Sequence, residues 1–353
     1  MNYRKRSKAT IGTPAIALTM VAVLLAGAAV QAAAQTATEV DGSAPTVVHN
    51  TWSSGTAMPL ALEFTMAGVL TSKVGGVLTS QIYVVGGVTT SAVVANNQIY
   101  NPVAKTWSRA AAIPMPTFDG AVVVMKNVLY IFGGSNDGST CTNAVWAYNP
   151  KTNSWSAKAA MPTSRCSAAA AVENNIIYVI GGVTPPSMRL NTVESYNPAT
   201  NTWTEEAPLL VGKSEASVGL VKVSVGGKIV QTIIAADGYT ASGDTGDNEG
   251  YNATANSWKS LASDPTVRHE ACTGSIGGKL YLAGGSNNQG TSLTVTESFN
   301  LSKNKWTTQA SMPQAVTGTG SVVNKGLLYC FGGGDRNSQF QGNVFNYVQI
   351  YQP

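Results

Sequence analysis

The sequence predicts an all-β fold built from one repeated unit, and three observations lead to this prediction. Only 11% of the 353 residues are charged, while 36 glycines and 15 prolines supply many chain reversals. This composition excludes a disordered chain and a long charged coiled coil, and it suits short strands joined by turns. An apolar segment ending in Gly-Gly recurs along the chain, and tryptophan recurs about every 50 residues, a period typical of one sheet of a β-propeller.

The amino-terminal segment has the pattern of a secretory signal peptide. Cationic residues precede an apolar run over residues 16–30, and small residues with flanking glutamines follow over 31–35. These are the n-region, the h-region and the cleavage site of a signal peptide. The alternative is a retained membrane anchor, but about 20 apolar residues are needed to span a bilayer and this run is shorter and interrupted. The cationic residues are Arg4, Lys5, Arg6 and Lys8.

The signal pattern sets the expected domain boundaries and location. We expect residues 1–34 to be removed, 35–47 to form a linker and 48–353 to form the folded domain, in a secreted or periplasmic protein. The formal charge of +4 equals the charge of the four cations in the removed segment, so the mature chain is neutral. A neutral chain gives no electrostatic reason to propose nucleic acid or an anionic membrane as a partner. We also predict no membrane span after cleavage.

The repeated Gly-Gly segment predicts the buried strand of each unit. The apolar residues before Gly-Gly do not alternate with polar ones, which indicates a strand buried on both faces and therefore covered by sheets on both sides. The paired glycines permit positive φ and close backbone approach where the strand ends. The copies cover residues 82–87, 129–134, 177–182, 280–285 and 328–333, with a degenerate copy over 233–238.

A second signature, an aromatic residue and Asn followed by Trp, completes the unit. Starting from Trp52, the tryptophans follow at intervals of 55, 48, 48, 55 and 48 residues. Each unit then contains four strands: a small-residue strand such as 168–172, the strand before Gly-Gly, the strand ending in the aromatic-Asn pair and the tryptophan strand. Turn formers lie between the last two strands.

The order Gly-Gly, Tyr, Trp resembles the Kelch repeat, and this resemblance extends over about residues 50–353. It implies a six-bladed Kelch β-propeller, which is the fold class we predict. Counting 48 residues from Trp306 passes the last residue, Pro353, so the sixth unit has no tryptophan strand of its own. The segment around Trp52 has the missing residues, and we expect this amino-terminal strand to complete the last blade.

Candidate functional residues lie in loops that should emerge on one face, after Gly-Gly and after the tryptophan strand. Arg268, His269 and Glu270 are the candidate catalytic residues, because a histidine near a carboxylate can act as a general base and an arginine can bind a substrate carboxylate. The alternative is that these loops simply tolerate charge. The candidate binding residues are Glu63, Asp119, Arg165, Tyr239 and Arg336.

Metal and cysteine patterns give further expectations. Asp244, Asp247 and Glu249 form an oxygen-rich segment that is a weak calcium candidate without EF-hand spacing, and a lengthened loop in this 55-residue unit explains it more simply. Export favours disulfides, and we predict that Cys141 pairs with Cys166 in loops of neighbouring blades. The other two cysteines, Cys272 and Cys330, pair or pack as buried thiols. We predict no cofactor and no metal centre.

Two classes of function are consistent with the sequence. The resemblance to Kelch propellers implies a module that binds a protein or glycan ligand through the loop-rich face. The alternative is a sugar epimerase or mutarotase, because the chain is similar to the exported bacterial N-acetylneuraminate epimerases in its signal pattern and six repeats. No catalytic residue of that family can be matched here, and the units are too short and regular to build a deep pocket. A copper radical oxidase is excluded because the chain has only two histidines.

Overall fold

The computed structural model describes residues 49–335 and 342–353, apart from the side chain of Val74. The predicted signal peptide and linker, together with Arg336, lie outside the described residues. Where the chain is described it contains β-strands and no α-helix, and therefore no helix that could serve as a membrane span. The expected all-β class is confirmed.

The strands form six four-stranded antiparallel sheets, called blades 1 to 6 here. The first strand of the chain, β1, is Thr51–Ser54. Blade 1 contains β2 (Met66–Val74), β3 (Val77–Val85), β4 (Asn97–Asn101) and β5 (Thr106–Arg109). Blade 2 contains β6 (Ala121–Met125), β7 (Val128–Phe132), β8 (Val145–Asn149) and β9 (Ser154–Ala157). Blade 3 contains β10 (Ala169–Glu173), β11 (Ile176–Ile180), β14 (Val193–Asn197) and β15 (Thr202–Glu206), with the hairpin β12 (Val183–Thr184) and β13 (Met188–Arg189) between them.

The second half of the chain repeats this order. Blade 4 contains β16 (Ser217–Val225), β17 (Lys228–Ala236), β20 (Asn248–Asn252) and β21 (Ser257–Leu261), with the hairpin β18 (Tyr239–Thr240) and β19 (Gly243–Asp244). Blade 5 contains β22 (Cys272–Ile276), β23 (Lys279–Ala283), β24 (Thr296–Asn300) and β25 (Lys305–Gln309). Blade 6 contains β26 (Gly320–Asn324), β27 (Leu327–Phe331) and β28 (Val348–Gln352).

Strand β1 is the fourth strand of blade 6. It pairs antiparallel with β28 and places Trp52 opposite Tyr351. The Asn50 side chain accepts hydrogen bonds from the Tyr351 hydroxyl at 2.8 Å and from the backbone of Ala310 at 2.7 Å. The two ends of the described chain therefore share one sheet.

The tryptophans connect neighbouring blades. In blade 2, the Trp155 indole N–H donates to the Ala111 carbonyl oxygen at 2.9 Å, and Asn153 accepts from the Ala111 backbone N–H at 2.8 Å. Since Ala111 follows the last strand of blade 1, these bonds hold the outer edges of two blades together. The corresponding indole bonds are Trp52 to Ala310, Trp107 to Thr56, Trp203 to Ala159, Trp258 to Ala207 and Trp306 to Ala262.

The hydrophobic core lies between the blades. The four residues 129–132 of β7 are buried on both faces, as predicted for the strand before Gly-Gly. One cluster packs Met66 and Leu70 of blade 1 against Leu129 and Ile131 of blade 2. Because each blade buries both of its faces against neighbours, no blade has a complete core by itself.

The two 55-residue units are longer because of their inner hairpins. In blades 1 and 4 the first two strands have nine residues each, whereas those of the other blades have five. The loop around Asp244 is therefore not lengthened, and that expectation was wrong. The extra residues extend the hairpins away from the Gly-Gly end and leave apolar side chains such as Val77, Leu78 and Ile229 exposed.

The pairing of β1 with β28 predicts a stability contribution from the amino-terminal strand. Deleting residues 49–54 removes the outer strand of blade 6 and its pairing with β28, together with the partly buried Trp52 indole; a fully buried tryptophan costs about 3–5 kcal/mol when lost, so the indole contributes part of that amount. We expect the melting temperature to fall by roughly 10 °C or more. Circular dichroism melting measures the melting temperature of the deletion variant. Trp155→Ala, which removes the equivalent indole bond within the chain, shows how much of the change comes from an indole alone. An unchanged melting temperature of the deletion variant would refute the contribution.

Candidate functional site

Six equivalent residues surround the propeller axis at the Gly-Gly end. They are spaced along the chain as the tryptophans are, and each has a positive φ between 52° and 63°. A left-handed conformation costs roughly 1–2 kcal/mol for a residue with a Cβ, so five of the six positions hold a disfavoured backbone. The residues, called the mouth ring here, are Phe64, Asp119, Ser167, Glu215, Glu270 and Gly318.

The mouth ring is closed by backbone hydrogen bonds. The N–H of each member donates to the carbonyl oxygen of the member before it, at N···O distances from 2.6 to 3.3 Å. The bond from Phe64 to Gly318 joins the first blade to the last and completes the circle. These bonds offset the cost of the left-handed backbone and fix the five side chains of the ring around the propeller axis.

A central cavity of about 480 Å³ begins at the mouth ring. Its walls are the innermost strands of all six blades, which present small and apolar residues such as Ala171, Val218 and Thr273. Asp119, Glu215 and Glu270 also line it, and the described lining residues include no lysine or arginine. The mouth is therefore acidic, whereas the sequence suggested a mixture of charges.

His269 lies beside two of these carboxylates. Its Nδ1 is 2.7 Å from Asp244 Oδ1, its Nε2 is 3.9 Å from Glu215 Oε2, and its exposed fraction is 7%. Burial lowers the histidine pKa, but the hydrogen bond to Asp244 and the charges of Glu270 and Glu215 outweigh it, so that the pKa is raised above 6.5. The imidazole is therefore stabilised in its charged form.

Aromatic and cationic groups flank this histidine. The Tyr239 ring meets the imidazole edge-on at 5.5 Å between centroids, and the Arg189 guanidinium lies 4.9 Å from the centre of the tyrosine ring. Arg189 belongs to the short hairpin after Gly-Gly in blade 3, and Tyr239 belongs to the hairpin at the equivalent place in blade 4. The predicted binding residue Tyr239 is thus placed at the mouth together with His269.

The other predicted acidic residues also reach the mouth. Asp119 belongs to the mouth ring and accepts a short hydrogen bond from the Ser167 hydroxyl. Glu63 precedes the ring residue Phe64 and pairs by an isolated β-bridge with Val88 in the loop after Gly-Gly. Glu270 accepts a hydrogen bond from the Thr317 hydroxyl at 2.7 Å.

Arg165 and Arg268, two of the predicted arginines, face away from the mouth. Arg165 has no exposed surface, and its guanidinium pairs with Glu194 at 2.7 Å and donates to the carbonyl oxygens of Gly181 and Thr192. Burial lowers the Arg165 pKa, and the Glu194 charge opposes this. The expectation that Arg165 binds a ligand was wrong, because the side chain ties its own segment to blade 3.

Arg268 occupies the equivalent position before blade 5 and is also fully buried. It pairs with Glu297, with Asp264 at 3.2 Å and with Asp237 at 3.6 Å. Burial and Asp264 raise the pKa of Glu297 to about 7, and burial together with Asp264 raises that of Asp237 well above its ordinary value. Arg268 is therefore a structural residue, and of the three catalytic candidates only His269 and Glu270 lie at the mouth.

The acidic segment of blade 4 does not form a calcium site. The Asp244 carboxylate contacts His269, whereas the Glu249 carboxylate pairs with the buried Lys213 at 3.0 Å. Asp247 contacts Lys213 only through its backbone carbonyl, which accepts a hydrogen bond from Nζ. Because the carboxylates have separate partners, the weak calcium candidate was wrong. Among the described residues, Glu215, His269 and Glu270 instead bring three possible ligand atoms within 4.8 Å of one another.

The four cysteines form two disulfides. Cys141 is bonded to Cys166, the pair preferred from the sequence, with Cα atoms 5.2 Å apart. Cys272 is bonded to Cys330 and joins the inner strand of blade 5 to the second strand of blade 6. Both bonds link segments from neighbouring blades.

Comparison with protein-family models supports the resemblance seen in the repeats. The KLHDC2/KLHL20/DRC7 Kelch-repeats domain matches residues 73–262, more than half of the chain, and the Kelch motif matches residues 268–313. The chain belongs to the Kelch-repeat family. The predicted Kelch propeller is therefore confirmed.

Other Kelch proteins match over shorter stretches. Kelch-like protein 23 of Mus musculus is 26% identical over 136 residues, which cover 38% of this chain and 23% of the mouse protein. Alpha-scruin of Limulus polyphemus is 29% identical over 77 residues, covering 21% of this chain and 8% of its own. This Kelch chain thus matches less than a quarter of the length of these relatives.

A solved structure shares the fold over a larger part of the chain. The structure entitled YjhT aligns with a TM-score of 0.64 and 19% identity, covering 83% of this chain and 96% of the other. At this identity the likeness shows the fold alone.

Sequence reasoning missed two features of this Kelch propeller. The mouth ring has no common residue type, and only its spacing, equal to that of the tryptophans, could have identified it. Asp237 replaces the first glycine of the Gly-Gly pair at a positive φ of 57°. Its side chain pairs with Arg268, so the substitution of glycine by aspartate in the degenerate copy adds an ion pair. At the equivalent position of blade 2, Gly133, a side chain would not fit, because a Cβ there would lie 2.2 Å from the Arg165 carbonyl oxygen.

The buried cluster around Arg268 predicts a pH-dependent stability. Glu297 has a folded pKa of about 7 against an ordinary 4.5, so the folded protein holds more protons and loses stability as pH rises from about 4.5 through 7. In Glu297→Gln the free energy of unfolding should decrease less over this pH range, as measured by urea unfolding at several pH values. A variant that loses the same free energy at every pH would contradict the assignment.

The contacts of His269 predict an elevated pKa that depends on Asp244. In an NMR titration its ring resonances should move with a midpoint above 6.5, and Asp244→Asn should lower that midpoint because the main favourable hydrogen bond is weakened. The chain has only one other histidine, so His49→Gln assigns the signals. A midpoint at or below 6.5 in the unmodified protein would show that burial dominates.

Proposed function

We propose that this Kelch propeller is an exported binding module that holds a protein or glycan ligand at its mouth. The observation that supports it most is the mouth ring, where segments from all six blades meet in one hydrogen-bonded circle around an open cavity. Binding residues are commonly placed on segments positioned by a rigid scaffold. The surrounding short hairpins, with Arg189 and Tyr239, extend this surface outward.

The charge of the mouth selects the ligand. Asp119, Glu215 and Glu270 accept hydrogen bonds and repel anions, and the described lining residues supply no lysine or arginine to compensate. We infer that the ligand presents hydrogen-bond donors, either the hydroxyls of a neutral glycan or the amino and guanidinium groups of a protein. Acidic glycans and acidic peptides should bind poorly.

The same charges make the epimerase alternative weaker. An N-acetylneuraminate substrate carries a carboxylate that needs cationic partners. Arg165 and Arg268, the residues considered for that role, are buried in ion pairs with Glu194 and Glu297. The remaining candidate, Arg336, lies outside the described residues. The binding module is therefore the function we propose.

Two features support export. The amino-terminal sequence has the composition of a signal peptide, and all four cysteines form disulfides. Structural disulfides persist mainly in secreted and periplasmic proteins, because the cytosol keeps thiols reduced.

Array binding tests the proposed function. The purified protein is applied to glycan and peptide arrays, and we expect neutral glycans or basic peptides among its ligands. The double variant Asp119→Asn, Glu215→Gln should weaken binding to these ligands at least tenfold. The matched control Val77→Ser, Leu78→Ser changes exposed residues at the far end of the channel and should bind as the unmodified protein does.

Two results would overturn the proposal. One is a ligand set restricted to acidic molecules, and the other is equal binding by the mouth variant and the unmodified protein. An NMR assay of N-acetylneuraminate anomer exchange tests the alternative directly. We expect no acceleration, and an acceleration abolished by His269→Gln would instead support the epimerase.

A further inference from the structure

We propose that Glu215, His269 and Glu270 form a binding site for one divalent transition-metal ion, for which Zn²⁺ is the probe. The three residues lie where the segments leading into blades 4 and 5 meet at the mouth ring, and their ligand atoms are within 4.8 Å of one another. The inference rests on this geometry and is independent of the proposed function.

The histidine is oriented as a metal ligand. A carboxylate only accepts hydrogen bonds, so the Nδ1 that contacts Asp244 at 2.7 Å carries a hydrogen. The other nitrogen, Nε2, then carries either a lone pair or a second proton, and it is directed at Glu215 from 3.9 Å. At this distance Nε2 forms an ion pair with the Glu215 carboxylate when the ring is doubly protonated. When the ring holds only the Nδ1 proton, the Nε2 lone pair faces the Glu215 carboxylate, and a metal cation between them would relieve this repulsion as the second proton does in the charged ring.

Asp244 is placed as the outer partner of this ligand. Histidines that bind metals usually donate their other N–H to a carboxylate or carbonyl, which fixes the ring and raises the basicity of the ligating nitrogen. Here the Asp244 side chain has no exposed surface and the His269 ring is nine-tenths buried. Glu270 is also oriented, because the Thr317 hydroxyl donates a hydrogen bond to its Oε2 at 2.7 Å. Two of the three ligands are thus positioned before any ion enters.

The donor set favours a borderline metal. One imidazole nitrogen with two carboxylate oxygens suits Zn²⁺, whereas Ca²⁺ prefers six to eight oxygens. Two ligands at about 2.1 Å from one ion are at most about 4.2 Å apart, so a small rotation of the glutamates closes the site. A fourth position remains for water or for a group from the cavity. We expect Zn²⁺ to bind more tightly than Mn²⁺ or Ca²⁺.

Isothermal titration calorimetry of the purified, chelator-treated protein with Zn²⁺ tests the site. We expect one ion per chain, and we expect His269→Gln and Glu270→Gln each to weaken binding at least tenfold. Asp244→Asn, which touches no ion, should weaken it about 10- to 100-fold. Thermal melts without metal confirm that each variant is folded, and Zn²⁺ should raise the melting temperature of the unmodified protein.

Two controls separate this site from general attraction to the acidic mouth. Asp119→Asn removes one charge from the same mouth ring without removing a proposed ligand, and its affinity should stay within about threefold of the unmodified protein. His49→Gln removes the other histidine and should also leave binding intact.

The controls and the native titration define what would overturn the site. Equal losses in Asp119→Asn and Glu270→Gln would show only counterion attraction, and loss in His49→Gln would place the ion elsewhere. A dissociation constant weaker than 1 mM in the unmodified protein would overturn the site outright. The array test of the proposed function can fail without affecting these results.

Discussion

The mouth ring is the constraint on which the rest of the structure depends. Six backbone N–H groups and six carbonyl oxygens pair in a circle, so the position of each blade is fixed by both neighbours. At the outer edge the tryptophan indoles repeat the same connection from blade to blade. The hydrophobic contacts between blades lie in the space between these two circles of hydrogen bonds. The carboxylates that line the cavity therefore lie on a backbone that is fixed by all six hydrogen bonds of the mouth ring.

Charge is used in two separate ways in this protein. Arg165, Lys213 and Arg268 are buried at equivalent positions and pair with glutamates on the third strands of blades 3, 4 and 5. Such pairs contribute little net stability relative to apolar residues of the same size, but leaving one partner alone is costly, so they favour one arrangement of the chain. Because these three cations are buried in their pairs and the described residues that line the cavity include no lysine or arginine, the acidic side chains of the mouth ring define the charge of this surface.

The sequence predicted the fold well and the site only in part. Repeated features such as Trp155 and Gly133 predict strands and blades because each copy supports the others. The sequence could not predict where the side chains of Arg165 and Arg268 point, because a loop residue can turn toward the mouth or into the next blade. Their direction is set by Glu194 and Glu297, which lie on strands distant in the sequence. His269 and Glu270 were identified as a pair, but Asp244 was assigned to calcium because its contact with His269 depends on the fold of the β18–β19 hairpin.

The longer inner hairpins of blades 1 and 4 divide the propeller into two halves with the same order of unit lengths. Members of the mouth ring three blades apart, such as Phe64 and Glu215 or Asp119 and Glu270, are separated by the same 151 residues. The chain thus repeats one three-blade pattern of unit lengths twice. One half places Phe64 and Phe118 at the rim, with ring centroids 6.0 Å apart, where the other places Glu215 and His269. The opening therefore has a pair of aromatic rings beside Asp119 on one side and His269 with Glu215 on the opposite side, so a bound molecule would meet two chemically different sides.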